Sequence, residues 1–330
     1  MELNLLNRRV FITLLGGALS GAPSAAHAEG QATKVSQIGL LWPGDSSPAP
    51  PRMESFRRGL REQGYVDGRN VSVELRFARE GMQTLPRLAA ELVQMNVDVI
   101  CAFGDLAPKL AQEATRKTPI IAITDDIVGA GLVANLSHPG GNLTGLTILS
   151  PELSAKRLQM LKSMFPSVTR VAALTDPTTG TAQVLLTSNA AQFLNVDLQV
   201  LQVRGREDLP AAFEAAKAGR AEALNVFASP LLSSLYREII DLAAEKRLPA
   251  IYQWREHAEA GGLVSYGPNL AEMFRQLGVM AAKVLAGANP SEMPIEQPLR
   301  IELVINQKTA NALGLELPLP ILIRADDLID

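Results

Sequence analysis

Acidic side chains recur at one kind of position in this sequence of 330 residues, directly after short apolar runs that are typical of strands. They are Asp45, Asp105, Asp125, Asp126 and Asp176. Carboxylates that gather at one place can bind an amine or another hydrogen-bond donor of a ligand. For each of them the alternative role is a helix N-cap, in which the side chain accepts from unpartnered backbone N–H groups.

Aromatic side chains also stand at the ends of predicted strands, although Phe, Trp and Tyr make up only 5% of the chain. They are Trp42, Tyr252, Trp254 and Tyr266. A flat aromatic wall can stack on a planar or apolar ligand, and the alternative is that each ring only fills space above a sheet. Gly44, Gly104 and Ser229 stand at the same predicted strand ends and complete the candidate ligand site.

The motifs of common catalytic and cofactor-binding sites are missing. The sequence contains no G-x-G-x-x-G, no G-x-x-x-x-G-K-[ST] and no G-x-S-x-G. Beyond the first 28 residues its histidines are His138 and His257, which lack the spacing of metal ligands. Cys101 lies in an apolar run and is expected to be a buried small hydrophobe. We therefore predict no catalytic residue, no metal and no cofactor.

Residues 1–28 have the pattern of an export signal. Arg8 and Arg9 precede an apolar stretch at residues 10–19, and the A-x-A pattern at residues 26–28 is typical of a cleavage site. The two arginines favour twin-arginine export, and an ordinary Sec signal is the alternative. We expect cleavage after about Ala28 and a periplasmic mature chain without a membrane span, because no later segment has roughly 18 uninterrupted apolar residues.

Composition and charge narrow the class of protein. A chain that is 47% hydrophobic and 20% charged is neither disordered nor collagen-like. Its 31 basic and 34 acidic residues give a formal charge of −3, so there is no broad basic field for nucleic acid or an anionic membrane. The length allows two domains of about 150 residues each.

Beyond residue 34, short apolar runs alternate with amphipathic segments of helical length. Residues 97–102 and 120–124 are typical of buried strands, and residues 52–63 are typical of a surface helix. This alternation predicts an α/β fold of two doubly wound lobes with parallel sheets. In such sheets ligands bind at the carboxyl ends of the strands, where the acidic and aromatic candidates stand.

Several ordered motifs resemble the substrate-binding proteins of ABC transporters, in the subfamily called TrpX-like. The run FRRGLREQGYVDGRN at residues 56–70 and the run PGGNLTG at residues 139–145 are two of them. Further matching stretches lie at residues 128–133, 260–269 and 302–310, and together the motifs extend over about residues 36–328.

The resemblance implies a type I periplasmic binding fold, in which two lobes joined by a hinge of three chain crossings close on a ligand. The implied crossings fall near Thr147, Pro268 and Pro298. Lobe 1 is then expected at residues 29–147 plus about 268–298. Lobe 2 is expected at residues 148–267 plus about 299–330.

By position, the resemblance implies a cleft lined by Gly104, Asp105, Asp126, Asp176, Tyr252 and Tyr266. This chain departs from the usual pattern at several of these positions. It has Gly104-Asp105 where relatives commonly have Gly-Thr or Gly-Ser, and Asp126-Ile127 where they have Asp-Pro. The motifs outside the cleft therefore resemble those of the family, while the residues expected to line the ligand pocket differ from the usual ones.

The expected function is capture of a small solute, an amino acid or an aromatic or branched carboxylate, by closure of the two lobes. The resemblance implies a monomer that delivers this solute to an inner-membrane ABC permease and catalyses no reaction. Two other functions stay open from the sequence: a ligand sensor for a membrane receptor, and a secreted α/β enzyme.

Overall fold

A computed structural model of the chain describes residues 35–44, 50–179 and 181–330. The predicted export signal at residues 1–28 and the candidate Asp45 lie outside the described residues. Among the described residues, no helix is long and apolar enough to cross a membrane.

The first lobe is built on a five-stranded parallel sheet. Its strands lie in the order β2-β1-β3-β4-β5, with bounds β1 Ser36–Trp42, β2 Val71–Phe77, β3 Val99–Phe103, β4 Ile120–Thr124 and β5 Leu143–Thr147. The helices that connect them are α1 Pro50–Glu62, α2 Leu85–Gln94 and α3 Leu106–Ala114. Strands β3, β4 and β5 are buried at every position, because other elements cover both faces of a parallel sheet.

The second lobe is built on a seven-stranded sheet in the order β12-β11-β10-β9-β8-β6-β7. Its strands are β6 Arg170–Thr175, β7 Asp197–Gln202, β8 Ala223–Val226, β9 Ala250–Tyr252, β10 Val264–Pro268, β11 Ile301–Asn306 and β12 Asp327–Ile329. Among the described strands of this sheet, β10 and β11 pair antiparallel and the other neighbours pair parallel. The helices after β5 are α4 Ser150–Met164, α5 Ala182–Phe193, α6 Leu209–Ala218, α7 Pro230–Ser234, α8 Tyr236–Glu245, α9 Arg255–Glu259, α10 Leu270–Leu285, α11 Gln307–Leu313 and α12 Leu319–Arg324.

The chain passes between the two sheets three times. It leaves the first lobe between β5 and α4, returns between β10 and α10, and leaves again between the short 3-10 helix Pro290–Glu292 and β11. These crossings and the two sheets confirm the predicted fold class. The residue-level boundaries of the lobes stay a prediction.

Helix α10 packs on α1 of the first lobe at a contact that requires glycine. A Cβ atom on Gly59 would collide with the backbone carbonyl of Arg275, and a Cβ atom on Gly278 would collide with that of Phe56. The two helix backbones therefore approach more closely than side chains would permit. This contact holds the returning segment on the first lobe.

Hydrophobic clusters cover both faces of each sheet. One of them joins the lobes, because Ala228 and Trp254 of the second lobe pack in the cluster that contains Phe103 and Phe274 of the first. Cys101 is fully buried in this cluster, and burial raises the pKa of its thiol. The two lobes are therefore in apolar contact beneath the cleft.

Candidate functional site

Three neighbouring cavities lie between the lobes, at the carboxyl ends of the strands. We call them the acidic cavity, of about 400 Å³, the aromatic cavity, of about 60 Å³, and the basic cavity, of about 510 Å³. Asp125 borders both the acidic and the aromatic cavity, and Thr178 borders both the acidic and the basic cavity. The three spaces therefore form one cleft with chemically different parts.

The acidic cavity brings together three carboxyl groups of the first lobe. Asp105 follows β3, and Asp125 and Asp126 follow the neighbouring parallel strand β4, so the sheet places them at one edge. The Asp105 carboxylate accepts from the backbone N–H of Asp125 at 3.0 Å and from that of Asp126 at 3.5 Å. Asp105 precedes α3 but makes no side-chain cap there, so its carboxyl group joins two loops instead of capping the helix.

Asp125 links the acidic cavity to the first hinge crossing. Its Oδ1 accepts from the Ser150 hydroxyl at 2.7 Å, and its backbone carbonyl accepts from the Ser150 N–H at 3.0 Å. Ser150 is the first residue of α4, the first helix after that crossing. Burial, followed by the neighbouring charge of Asp105, raises the pKa of Asp125 well above the usual value for an aspartate.

Burial also raises the pKa of Asp105, to about 6. The two backbone N–H groups that it accepts from oppose this shift, and the charge of Asp126 adds to it. Asp126 is half-buried, and its Oδ1 accepts from the N–H of Gly129 at 2.8 Å, so it caps a turn rather than a helix. A cationic group in this cavity would stabilise the ionised form of these carboxyls.

The opposite wall of the acidic cavity carries hydrogen-bond donors of the second lobe. It contains Thr178 and Thr179, whose N–H and hydroxyl groups donate to Asp176, and the first residues of α5, whose N-cap residue Thr181 makes no side-chain cap. The free N–H groups and the dipole at a helix N-terminus favour an anionic group. Carboxylates therefore face donors across the cavity, an arrangement that suits a zwitterion.

The aromatic cavity is lined by rings that pack mainly on one another. Trp42 lies edge-on to Phe103 at 4.8 Å between ring centroids, and Phe103 stacks on Phe274 at 5.2 Å. From the second lobe, Trp254 closes this space, and its indole N–H donates to the Ser233 hydroxyl at 3.0 Å. A volume of about 60 Å³ holds roughly two water molecules. This space is smaller than an aromatic side chain, so the side chains that line it must rearrange before a planar group can enter.

The remaining strand-end candidates border these cavities in different ways. Gly104 has a positive φ of 70°, and a Cβ atom there would lie 3.0 Å from the Pro230 side chain of the other lobe. Ser229 lines the aromatic cavity and caps α7, since its hydroxyl accepts from the Leu232 N–H at 2.9 Å. Gly44 and Asp176 line the basic cavity.

Two aromatic candidates border none of the three cavities. Tyr252 is 1% exposed in the core of the second lobe, with its ring edge-on to that of His257. Tyr266 is half-buried between apolar clusters, and its backbone carbonyl accepts from Arg157. Strand β9 ends at Tyr252, but its side chain packs in the core of the second lobe rather than beside the cleft. A ligand role of the two tyrosines stays a prediction.

Comparison with known proteins shows where this architecture belongs. Residues 50–329 match the family described as ABC transporter substrate binding protein. The chain belongs to this family. A tyrosine-binding protein from Clostridioides difficile is 26% identical over 313 residues, which cover 92% of this chain and 89% of that protein.

Solved structures share the fold of this substrate-binding protein. One is an ABC domain in complex with L-Trp from Streptococcus pneumonia, with a TM-score of 0.81 and 23% identity over 89% of this chain and 99% of that one. Another is a conserved domain protein from Vibrio cholerae, with a TM-score of 0.80 and 23% identity over 89% of this chain and all of that one. Periplasmic binding proteins have the same architecture, which is the type I periplasmic binding fold.

Sequence reasoning missed a fully buried arginine of this substrate-binding protein. Arg157 on α4 donates from Nε to the carbonyl of Tyr266 at 2.9 Å and from Nη1 to the Ser154 hydroxyl at 3.0 Å. Its Nη2 has no hydrogen-bond partner in the described part of the chain. Burial lowers the pKa of Arg157 to about 9, and the charge of Asp125 opposes that shift. Arg157 therefore ties α4 to the hinge strand β10 behind the acidic cavity.

Sequence reasoning also missed Phe103 and Phe274. Phe103 is the last residue of β3, directly before Gly104, so its position at a strand end was a usable signal. Phe274 lies on α10, and only the return of that helix to the first lobe brings its ring to the cleft.

Proposed function

We propose that this substrate-binding protein captures an amino acid between its lobes and delivers it to an ABC permease. The observation that carries the proposal is the acidic cavity, where carboxylates of the first lobe face the N-terminus of α5 on the second. The ligand's ammonium group would bind Asp105 and Asp126, and its carboxylate would bind at the start of α5.

A ligand held in this way makes contacts with both lobes only when they are closed. It therefore favours the closed state by its differential affinity for that state, which is the physical basis of capture and release. The permease would receive the closed form.

An aromatic or branched side chain suits the rest of the cleft. Asp125 separates the acidic from the aromatic cavity, so a side chain that extends from an amino acid there would meet Trp42, Phe103 and Trp254. The names of two similar proteins support this ligand class, since one is a tyrosine-binding protein and another was solved with L-Trp.

Further attributes belong to the same proposal. The protein is exported through the signal at residues 1–28, acts in the periplasm as a monomer and catalyses no reaction. Membership in a family of ABC transporter substrate-binding proteins supports a role in transport, and the residue pattern at 1–28 supports export.

The test is a thermal-unfolding screen of the purified protein against the natural amino acids. A ligand at a hundredfold excess over its Kd stabilises the folded state by about 2.7 kcal/mol. We expect at least one aromatic or branched amino acid to stabilise the protein. The affinity of the D105N variant for that amino acid should be at least about tenfold weaker. The matched control is D197N, since Asp197 is exposed on an edge strand of the second lobe. No stabilisation by any amino acid would contradict the proposed ligand class.

A further inference from the structure

The basic cavity has a charge opposite to that of the acidic cavity. It lies between the lobes and is lined by Arg79 of the first lobe and by Arg204 and Arg206 of the second. Among the described residues that line it, Asp176 is the only acidic one. The two ends of the cleft therefore present opposite charges to a solute.

Two of these arginines have no carboxylate within ion-pair distance in residues 35–44, 50–179 and 181–330. Arg79 lies over the ring of Phe77, with 4.5 Å between the guanidinium carbon and the ring centroid. Arg204 donates from its guanidinium to the side-chain carbonyl of Gln202 at 3.1 Å. Arg206, in contrast, pairs with Glu238. Unpaired like charges that line one cavity repel one another, and an anion would remove that repulsion.

A buried acceptor borders the same cavity. Asp176 is 1% exposed, and its Oδ1 accepts from the N–H of Thr178 at 2.9 Å and from the Thr178 hydroxyl at 2.8 Å. Its Oδ2 is buried and lacks a hydrogen-bond partner among the described residues. A buried carboxylate oxygen without a donor is costly, so a ligand that brings an N–H or O–H would satisfy it.

We propose that the basic cavity is a second subsite of the cleft, which binds an anionic group that itself carries an N–H or O–H. Arg79 and Arg204 bind the charge, and Oδ2 of Asp176 accepts the ligand's hydrogen bond. Phosphate and carboxylate groups share the required charge. The proposal rests on the proposed function in one respect, that the cleft is a solute site.

Inorganic phosphate and sulfate form a matched pair of probes, because phosphate keeps at least one O–H at neutral pH and sulfate keeps none. We expect saturable binding of phosphate in calorimetric titrations at constant ionic strength, tighter than that of sulfate. In D176N the preference should disappear, since the asparagine N–H₂ in place of Oδ2 donates to either anion.

Substitution of the arginines tests the site itself. The variants R79Q and R204Q should each weaken phosphate binding by at least about tenfold. The controls R69Q and R324Q remove exposed arginines elsewhere on each lobe and should bind phosphate as the unsubstituted protein does. Phosphate binding that is absent, or equal in R79Q, R204Q and the controls, would overturn the proposal.

The same variants separate this subsite from the amino-acid site. D105N should lose amino-acid affinity and keep phosphate binding, while R204Q should show the reverse. O-phospho-L-tyrosine carries both groups, so binding tighter than that of L-tyrosine and of phosphate would identify one solute that spans both cavities. Additive effects of separate phosphate and amino acid would identify an independent anion at the same subsite.

Discussion

The carboxyl group of Asp105 illustrates how burial and local hydrogen bonds together determine what a single residue can do. Its pKa of about 6 lies above the ordinary aspartate value of 3.8 because burial outweighs two backbone donors. The residue is therefore easily protonated in mildly acidic solution when the cavity is empty. A ligand ammonium group would compete with that proton.

Stability should depend on pH through this residue in a defined direction. A carboxyl group whose pKa is raised in the folded state stabilises the fold below its unfolded pKa, and this contribution is lost as the pH rises through the folded pKa. As the pH rises from 3.8 to about 6, the free energy of unfolding of the unsubstituted protein should therefore fall by about 2 kcal/mol relative to that of D105N. Urea denaturation of both proteins across this range measures the difference, and parallel curves would contradict the assignment.

Residue-level prediction from the sequence agrees with the structure on where three acidic side chains lie, while their role as ligand contacts stays a prediction. Asp105, Asp125 and Asp126 reach one cavity because adjacent parallel strands end at the same edge. Residue-level prediction failed for Arg157, because an arginine on a predicted helix is normally exposed. Only packing against β10 buries this side chain.

At the scale of elements, the contact between α1 and α10 holds a helix from the C-terminal part of the chain on the first lobe. The alternation of apolar runs predicts both helices, but their pairing depends on the hinge and not on either helix alone. Gly59 and Gly278 provide the close approach that the pairing needs.

The variant G59A should therefore destabilise the first lobe. Its added methyl group meets backbone rather than a flexible side chain, so relief requires the two helices to separate, at a cost of about 3 kcal/mol. The neighbouring exposed substitution R58A is the control and should change stability little. Thermal unfolding measures both, and an unchanged melting temperature in G59A would contradict the described helix contact.

At the scale of the whole molecule, the hinge, an apolar contact beneath the cleft and an ion pair join the two lobes. Trp254 is 4% exposed at that contact, with Phe103 and Phe274 on the opposite side. Among the described residues, Arg52 and Glu256 form the ion pair that crosses between the lobes, at 3.4 Å. Because Glu256 is partly exposed, this pair contributes little, and the tryptophan dominates the contact.

Removal of this ring should open the ligand-free protein. W254A loses apolar contact worth about 3 kcal/mol, so the radius of gyration from small-angle scattering should increase. F193A serves as the control, since Phe193 is 89% exposed on α5. Equal radii for W254A, F193A and the unsubstituted protein would show that Trp254 does not hold the lobes together.

The claim at the centre of this account is that an amino acid bridges the lobes through the acidic cavity. A crystal structure with an amino acid that raises the melting temperature tests it most directly. We predict its ammonium group within hydrogen-bond distance of Asp105 or Asp126 and its carboxylate at the N-terminus of α5. A ligand bound outside this cavity, or with its carboxylate against the aspartates, would contradict the account.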